Sequence, residues 1–182
     1  MKGTALNSGP SAENGASPER SQAKDPTLRP ARDSDLDFIL DLCRKVFLEF
    51  GSYDRYMAEW FREEIVSSHI AELDSAPAGF FMLAIHPASL TGEAVAELLS
   101  IAVVPELRSR GIGAALLDRS ILLARESSLD LREIRLSVAE GNARAQRMFA
   151  RRGFRIGHVI GVYPAGQRAL FMTKVLKKEG KS

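Results

Sequence analysis

The stretch AVAELLSIAVV (94–104) constrains the fold of this chain more than any other. It is mostly apolar on both of its alternating sides. As a strand it must therefore be covered on both faces, as at the centre of a helix-flanked sheet. Pro105 ends it. The next segment, RSRGIGAALL (108–117), places two glycines where a helix is about to begin. An ordinary helix start takes Ser, Thr, Asp or Asn as its cap, whereas glycines leave room for something to approach the backbone. Successive N–H groups of a glycine-rich turn converge on one concavity. The helix N-terminus adds roughly half a positive charge, and Arg108 and Arg110 add whole ones. Gly111 and Gly113 keep side chains out of the way, and a pyrophosphate fits such a cradle. The pattern is not the dinucleotide fingerprint, because position 116 is Leu, nor a P-loop, because no Gly-Lys-Ser/Thr follows. Taken alone, these residues are equally compatible with a glycine turn carrying solvated arginines.

The rest of the chain alternates between strand and helix patterns. TLRPA (27–31) reads as a short first strand. Ser34 and Asp37 then have capping-box spacing, and Leu36, Ile39, Leu40, Cys43, Val46, Phe47 and Phe50 recur at helical spacing up to Gly51. DRYMAEWFREEIVSSHI (54–70) reads as a second helix, with a weakly marked strand near 69–73. AGFFMLAIH (78–86) is a strand running into a turn, HPASLTGE. A helix is expected from Gly111 to about Glu126, with Ile112, Ala115, Leu116, Ile121 and Leu122 available for the core. LREIRLSVA (131–139) alternates as a strand. NARAQRMFARRG (142–153) is a helix opened by Asn142 and stopped by Gly153, and FRIGHVIGVY and RALFMTKVL form a closing pair of strands around PAGQ. The order β-α-α-β-β-β-α-β-α-β-β predicts one α/β domain with six to seven strands and about four helices.

Composition narrows the function classes. The chain of 182 residues is 45% hydrophobic and 26% charged, ordinary for a globular domain, and its formal net charge of +2 makes no electrostatic case for nucleic acid. No apolar run approaches the length of a membrane span. The single cysteine, Cys43, cannot form an internal disulfide and fits a reducing cytoplasm. It lies on the apolar face of the first helix, as a packed thiol would. His69, His86 and His158 lack metal-ligand spacing, so no metal is expected. Residues 1–26 are rich in Gly, Pro and Ser, with no large apolar residue after Leu6, and read as a disordered leader. The domain is expected over 27–177 and a short basic tail over 178–182.

Two motifs together carry a resemblance. Arg-x-x-Gly-x-Gly at 108–113, preceded by IAVVP and followed by an amphipathic helix, resembles the GNAT family of N-acetyltransferases. NARAQRMFARRGF resembles that family's later signature, in which Asn opens a helix that ends in Gly-Phe. The resemblance covers about residues 27–176. It implies a single GNAT-type domain whose mixed sheet holds a splayed parallel pair, here 94–104 and 131–139, with acetyl-CoA in the gap. Ile101, Ala102 and Val103 would then pair with the pantetheine arm, adding it like a strand. Arg108, Ser109, Arg110, Gly111, Ile112, Gly113 and Ala114 would hold the pyrophosphate, Asn142 would contact the CoA arm, and Phe149 would sit near the thioester sulfur.

The chemistry so implied is attack of an amine on a thioester. It needs a base, because only the neutral amine attacks, and a donor for the developing oxyanion, for which the N–H near Val103 is the candidate. Glu97 is the candidate base: AEL…AV resembles histone-acetylating members with a Glu at this place, and a carboxylate is unusual in so apolar a strand. Some protein N-terminal acetylating members carry a Glu where this chain has Ser137. Many members have Tyr where this chain has Phe149, and Phe cannot protonate the leaving thiolate. Tyr163 is the candidate acid, in GVYPAGQRAL, which resembles the Tyr-Pro turn of ribosomal-protein and peptide N-terminal acetyltransferases. Tyr53 and Tyr56 are candidates for lining the acceptor site. The resemblance leaves the acceptor open among a protein N-terminus, a lysine, a polyamine, an aminoglycoside and a small metabolite. Dimerisation is common in that family, so a monomer or homodimer is expected, and charge and hydropathy give no nucleic acid or membrane as partner. A CoA-binding regulatory module is the competing reading, favoured by Phe149, and a nucleotide-binding regulator is a third.

Overall fold

A computed structural model describes residues 25–51, 53–87, 94–127 and 131–176. The expected leader, all but its last two residues, and the basic tail lie outside these, as does most of the HPASLTGE turn. The elements are β1 (Thr27–Pro30), α1 (Leu36–Phe47), α2 (Asp54–Arg62), β2 (Val66–Leu73), β3 (Ala76–Pro87), β4 (Ala94–Val103), α3 (Ile112–Glu126), β5 (Leu131–Ala139), α4 (Ala143–Arg151), β6 (Arg155–Val162) and β7 (Arg168–Val175). They build one seven-stranded sheet in the order β1-β2-β3-β4-β5-β7-β6. Among these strands only β4 and β5 run parallel. The expected α/β order and mixed sheet are therefore what the chain adopts.

Three local expectations need correction. The helix expected over 54–70 stops at Arg62, where Glu63 turns extended, and Val66–Ile70 belong to β2. Their partners, Phe80 to Ala84 on β3, are distant in sequence, and pairing overrides the local pattern. The carboxylate that caps the first turn is Asp35, not Asp37: its Oδ2 accepts from the Arg32 N–H at 2.7 Å, and its carboxylate also pairs with Arg29. In α3, Leu122 is exposed, and Leu117 is buried instead.

The sheet is covered on both faces by two apolar clusters. Against one face pack Ile112, Leu116, Leu117 and Ile121 of α3, with Phe149 of α4. Against the other pack Ile39, Leu42 and Cys43 of α1 with Met57 of α2, over Ile70, Phe80 and Met82. Burial pushes the Cys43 thiol up to about 11, so this cysteine is inert packing.

The two central strands do not stay together. β4 pairs with β5 only from Ala94 to Leu98, opposite Leu131 to Leu136, although both strands continue. At the same place the register of β4 on β3 slips: Met82 faces Ser100 and Leu83 faces Leu98, so Leu99 is an extra residue. This β-bulge reverses which side chains face which cluster. Before it, Ala96 and Leu98 pack with α3; after it, Ile101 and Val103 do, and Ala102 turns to α1. The strand is covered on both faces as expected, with Glu97, Leu99, Ile101 and Val103 half-buried.

β3 supports β4 closely beyond the bulge. A Cβ on Gly79 would lie 2.6 Å from the Ala102 carbonyl oxygen and 3.1 Å from Leu116 Cδ1. Because the first of these is backbone, it cannot swing aside. Gly79→Ala is expected to destabilise the fold by about 2 kcal/mol, lowering the melting temperature by roughly 4–8 °C. An unchanged melting curve would show that β4 is free to shift there.

Candidate functional site

Where β4 and β5 part, the sheet opens into a cavity of about 990 Å³. Its floor is Ile101, Ala102 and Val103, its rim the turn from Leu107 to Ala114, and its far side the start of α4. The Val104 N–H donates to the Ala78 carbonyl at 2.9 Å. By strand alternation the N–H groups of Ile101 and Val103 point the other way, into the gap that β5 has left.

The rim is built as the glycine pattern predicts, with one change. Gly111 adopts the left-handed conformation at φ +81°, with nothing within 4 Å of where a Cβ would be, and it is the N-terminal cap of α3 without any side-chain bond to that end. Ser109 is left-handed too, at φ +70°. Among the described residues, no partner is found for the N–H groups from Ser109 to Ala114. Gly113 serves packing instead. A Cβ there would meet Met148 Sδ at 3.2 Å and Val103 Cγ2 at 3.5 Å, so this glycine lets α3 close against α4 and β4. Arg108 lines the cavity, whereas the exposed Arg110 does not.

Charge collects around this cavity. Arg108, Arg144, Arg147, Arg151, Arg152 and Arg168 line it, against two carboxylates, Glu49 and Glu140. Arg152 is bound by Asp118 and Arg168 by Glu140, while Arg144 donates to Ser109 Oγ at 3.1 Å. The α4 arginines form a row at helical spacing in NARAQRMFARR. Sequence alone does not connect them to the glycine turn, because their side chains meet it only in three dimensions.

A second, smaller cavity of about 160 Å³ lies on the α1 and α2 side of the gap. It shares Phe47, Phe50, Ile101, Asn142 and Ala145 with the first, so the two meet. Tyr53, Met57, Trp60, Phe149 and Tyr163 complete an aromatic cup. Its wall is continuous: the Tyr163 ring centroid is 5.5 Å from that of Phe50 and 6.1 Å from that of Tyr53. The 163–167 turn is held there by Gln167, which donates to the Glu49 carbonyl at 3.2 Å. Tyr56 packs at a tilt on Trp60 but is itself half exposed and lines neither cavity.

The expected site residues fall into place unevenly. Asn142 borders both cavities, and its Oδ1 caps α4 by accepting from the Ala145 N–H at 3.1 Å. Phe149 is buried in the cup wall, 5.8 Å from the Phe154 ring. Tyr163 donates to Ser137 Oγ at 3.4 Å. Burial pushes its phenol above the ordinary range, and burial pushes that of Tyr53 up to about 12, so both stay protonated at neutral pH. Glu97 lines neither cavity. Its Oε2 accepts from Arg135 at 3.1 Å and lies 3.4 Å from His86 Nε2. These partners come from β5 and β3, so no local sequence signal could reveal them.

Comparison with known proteins agrees with this geometry. The sequence model of the acetyltransferase (GNAT) family matches residues 36–154. An N-alpha-acetyltransferase of Saccharolobus solfataricus is 28% identical over 165 residues, which span 87% of this chain and 98% of that protein. NAA60 of Arabidopsis thaliana, solved in complex with acetyl-CoA, matches with a TM-score of 0.71 at 19% identity, over 84% of this chain and 99% of that one. Ard1 of Thermoplasma volcanium matches with a TM-score of 0.69 at 23% identity, over 84% and 99%. The family match spans well over half of the sequence, and with this fold it makes the chain a member of the GNAT family of acetyltransferases.

Proposed function

We propose that this protein moves an acetyl group from acetyl-CoA to the α-amine of a polypeptide whose first side chain is apolar. The observation that carries this reading is the junction of the two cavities at the parting of β4 and β5. One cavity is large and lined by arginines, and the other is a small aromatic cup.

The larger cavity suits the donor. The pantetheine arm would pair with Ile101–Val103 as an added strand, in the place that β5 vacates. The pyrophosphate would sit on the free N–H groups of Ser109–Ala114 at the start of α3, beside Arg108. Asn142 would border the arm, and Phe149 would wall the thioester. Gly111→Val puts a branched side chain into a left-handed position beside the phosphates. It is expected to weaken acetyl-CoA binding on the order of hundredfold, about 2.7 kcal/mol. Full affinity by calorimetry in the folded variant would refute the cradle.

The cup's chemistry selects the acceptor. Among the described residues no carboxylate lines it, which disfavours a polyamine or an aminoglycoside. Its titratable groups among the described residues are Tyr53 and Tyr163, both protonated at neutral pH, and neither is a base. An α-amine titrates at about 7.7–8.0 and is partly neutral near pH 7, whereas a lysine amine at about 10.4 is almost wholly charged. A cup without a base therefore favours the α-amine, and its aromatic walls favour an apolar side chain beside it. Relatives named N-alpha-acetyltransferase support the same reading. The test is acetylation of peptides that differ in their first residue, followed by mass spectrometry. Modification of the α-amine of apolar-first peptides is expected. Acetylation confined to lysine side chains would overturn the acceptor, and binding of acetyl-CoA with no turnover would favour a regulatory module.

Two proton transfers remain. Glu97 lies on the same face as Ser137, on the neighbouring strand, and would take the amine proton through water. Glu97→Gln is expected to slow turnover about tenfold near pH 7, less at pH 9 where the amine is already neutral. A rate–pH profile identical to wild type would leave bulk solvent as the base. Tyr163 would donate to the leaving sulfur. Tyr163→Phe is expected to cost roughly two- to tenfold in turnover, the worth of one hydrogen bond, with acetyl-CoA affinity unchanged. Equal turnover would remove it from the mechanism.

A further inference from the structure

Ser100 is 6% exposed, and its Oγ has no hydrogen-bond partner among the described residues. It follows the bulge residue Leu99, faces Met82 across β3, and lines the aromatic cup. The next residue, Ile101, lines both cavities, so Ser100 stands on the acceptor side of their junction. The fold handles its other fully buried serine differently. Ser120 donates to the Leu117 carbonyl at 2.8 Å and is satisfied within its own helix. A buried hydroxyl left without a partner destabilises a protein, whereas alanine in its place costs little or nothing. Two other unpartnered polar atoms, Ser68 Oγ and His69 Nδ1, lie on β2 and line neither cavity.

We infer that Ser100 is an acceptor-binding residue: its Oγ accepts a hydrogen bond from an N–H of the neutral amine, turning the nitrogen lone pair toward the thioester at the cavity junction. A hydroxyl suits this place, since it can accept from an amine without holding it as a cation, as a carboxylate would. Phe47 and Met57, which line the same cup, provide walls but no oxygen that could accept. The inference rests on the acetyl-transfer reading of the cup, and it assigns the one orphan polar side-chain atom among the cup's described residues to the substrate.

The test compares wild type with Ser100→Ala and Ser100→Thr in three measurements: melting without ligand, acetyl-CoA affinity by calorimetry, and steady-state acetylation of an apolar-first peptide. Ser100→Ala is expected to melt at the same temperature as wild type or higher, to bind acetyl-CoA equally, and to lose about tenfold in kcat/KM for the peptide. Ser100→Thr, which keeps the hydroxyl, is expected to recover most of that loss. Ser100→Ala with wild-type kinetics would overturn the inference. So would a clear fall in its melting temperature, which would mean the hydroxyl is already bonded in the protein, or a loss of acetyl-CoA affinity, which would place it with the donor. If wild type instead acetylates a lysine or a small amine, the acceptor reading fails. The Ser100 comparison is then made on that amine, and the melting arm needs no activity at all.

Discussion

Everything at this site depends on one added residue. Without the bulge at Leu99, β4 would keep its register with β3, and nothing would turn it away from β5 at Leu98. With it, the strand twists, its side-chain parity reverses, and the backbone of Ile101 and Val103 is left facing a gap. A sheet normally hides such unpaired groups at its edges, where they are a liability. Here they open in the middle of the sheet, between covered strands, onto the larger cavity. Gly79 contributes from the other side, since the absence of a Cβ lets β3 lie close against the Ala102 carbonyl.

The cradle and the cup use opposite electrostatics within a short distance. Around the larger cavity, arginines outnumber carboxylates, and the uncapped start of α3 adds its own partial charge. Around the cup there are aromatic rings, protonated phenols and one orphan hydroxyl. A polyanion is drawn to the first and excluded from the second, so a donor with phosphates at one end can enter in only one direction. On the proposed reading its reactive end then lies at the junction at Ile101 and Asn142.

The parts legible in the sequence are those whose cause is local. The glycine turn, the apolar run of β4 and the capped start of α4 each carry their reason within a dozen residues, and they lie where the pattern puts them. The helix expected over 54–70 overruns because Val66–Ile70 owe their conformation to Phe80–Ala84. The cup is only partly visible in sequence, since Phe47 and Phe50, Trp60 and Tyr163 come from three separate stretches and meet only through the packing of the 163–167 turn on the end of α1. Glu97 stands out in sequence as a carboxylate in an apolar strand, but its partners Arg135 and His86 are set by register across two strands. Ser100 carries no sequence signal, because the lack of a partner is a property of the folded chain alone.

Phe149 is easier to understand once the cup is seen to be nearly free of acid–base groups. A thiol of pKa about 8.5 leaves tolerably as the thiolate near neutral pH, and an α-amine of about 7.7–8.0 is partly ready to attack. For that pair of reactants the proton transfers are a modest part of the barrier, and holding the two in contact is the larger part. A buried phenylalanine packed on Phe154 gives a stiffer wall than a tyrosine that must also find a partner for its hydroxyl. On the proposed reading, then, the loss of an acid at position 149 costs little so long as the acceptor is an α-amine. The same cup would serve a lysine poorly, because the amine would first have to shed a proton, and among the described residues lining the cup none is a base.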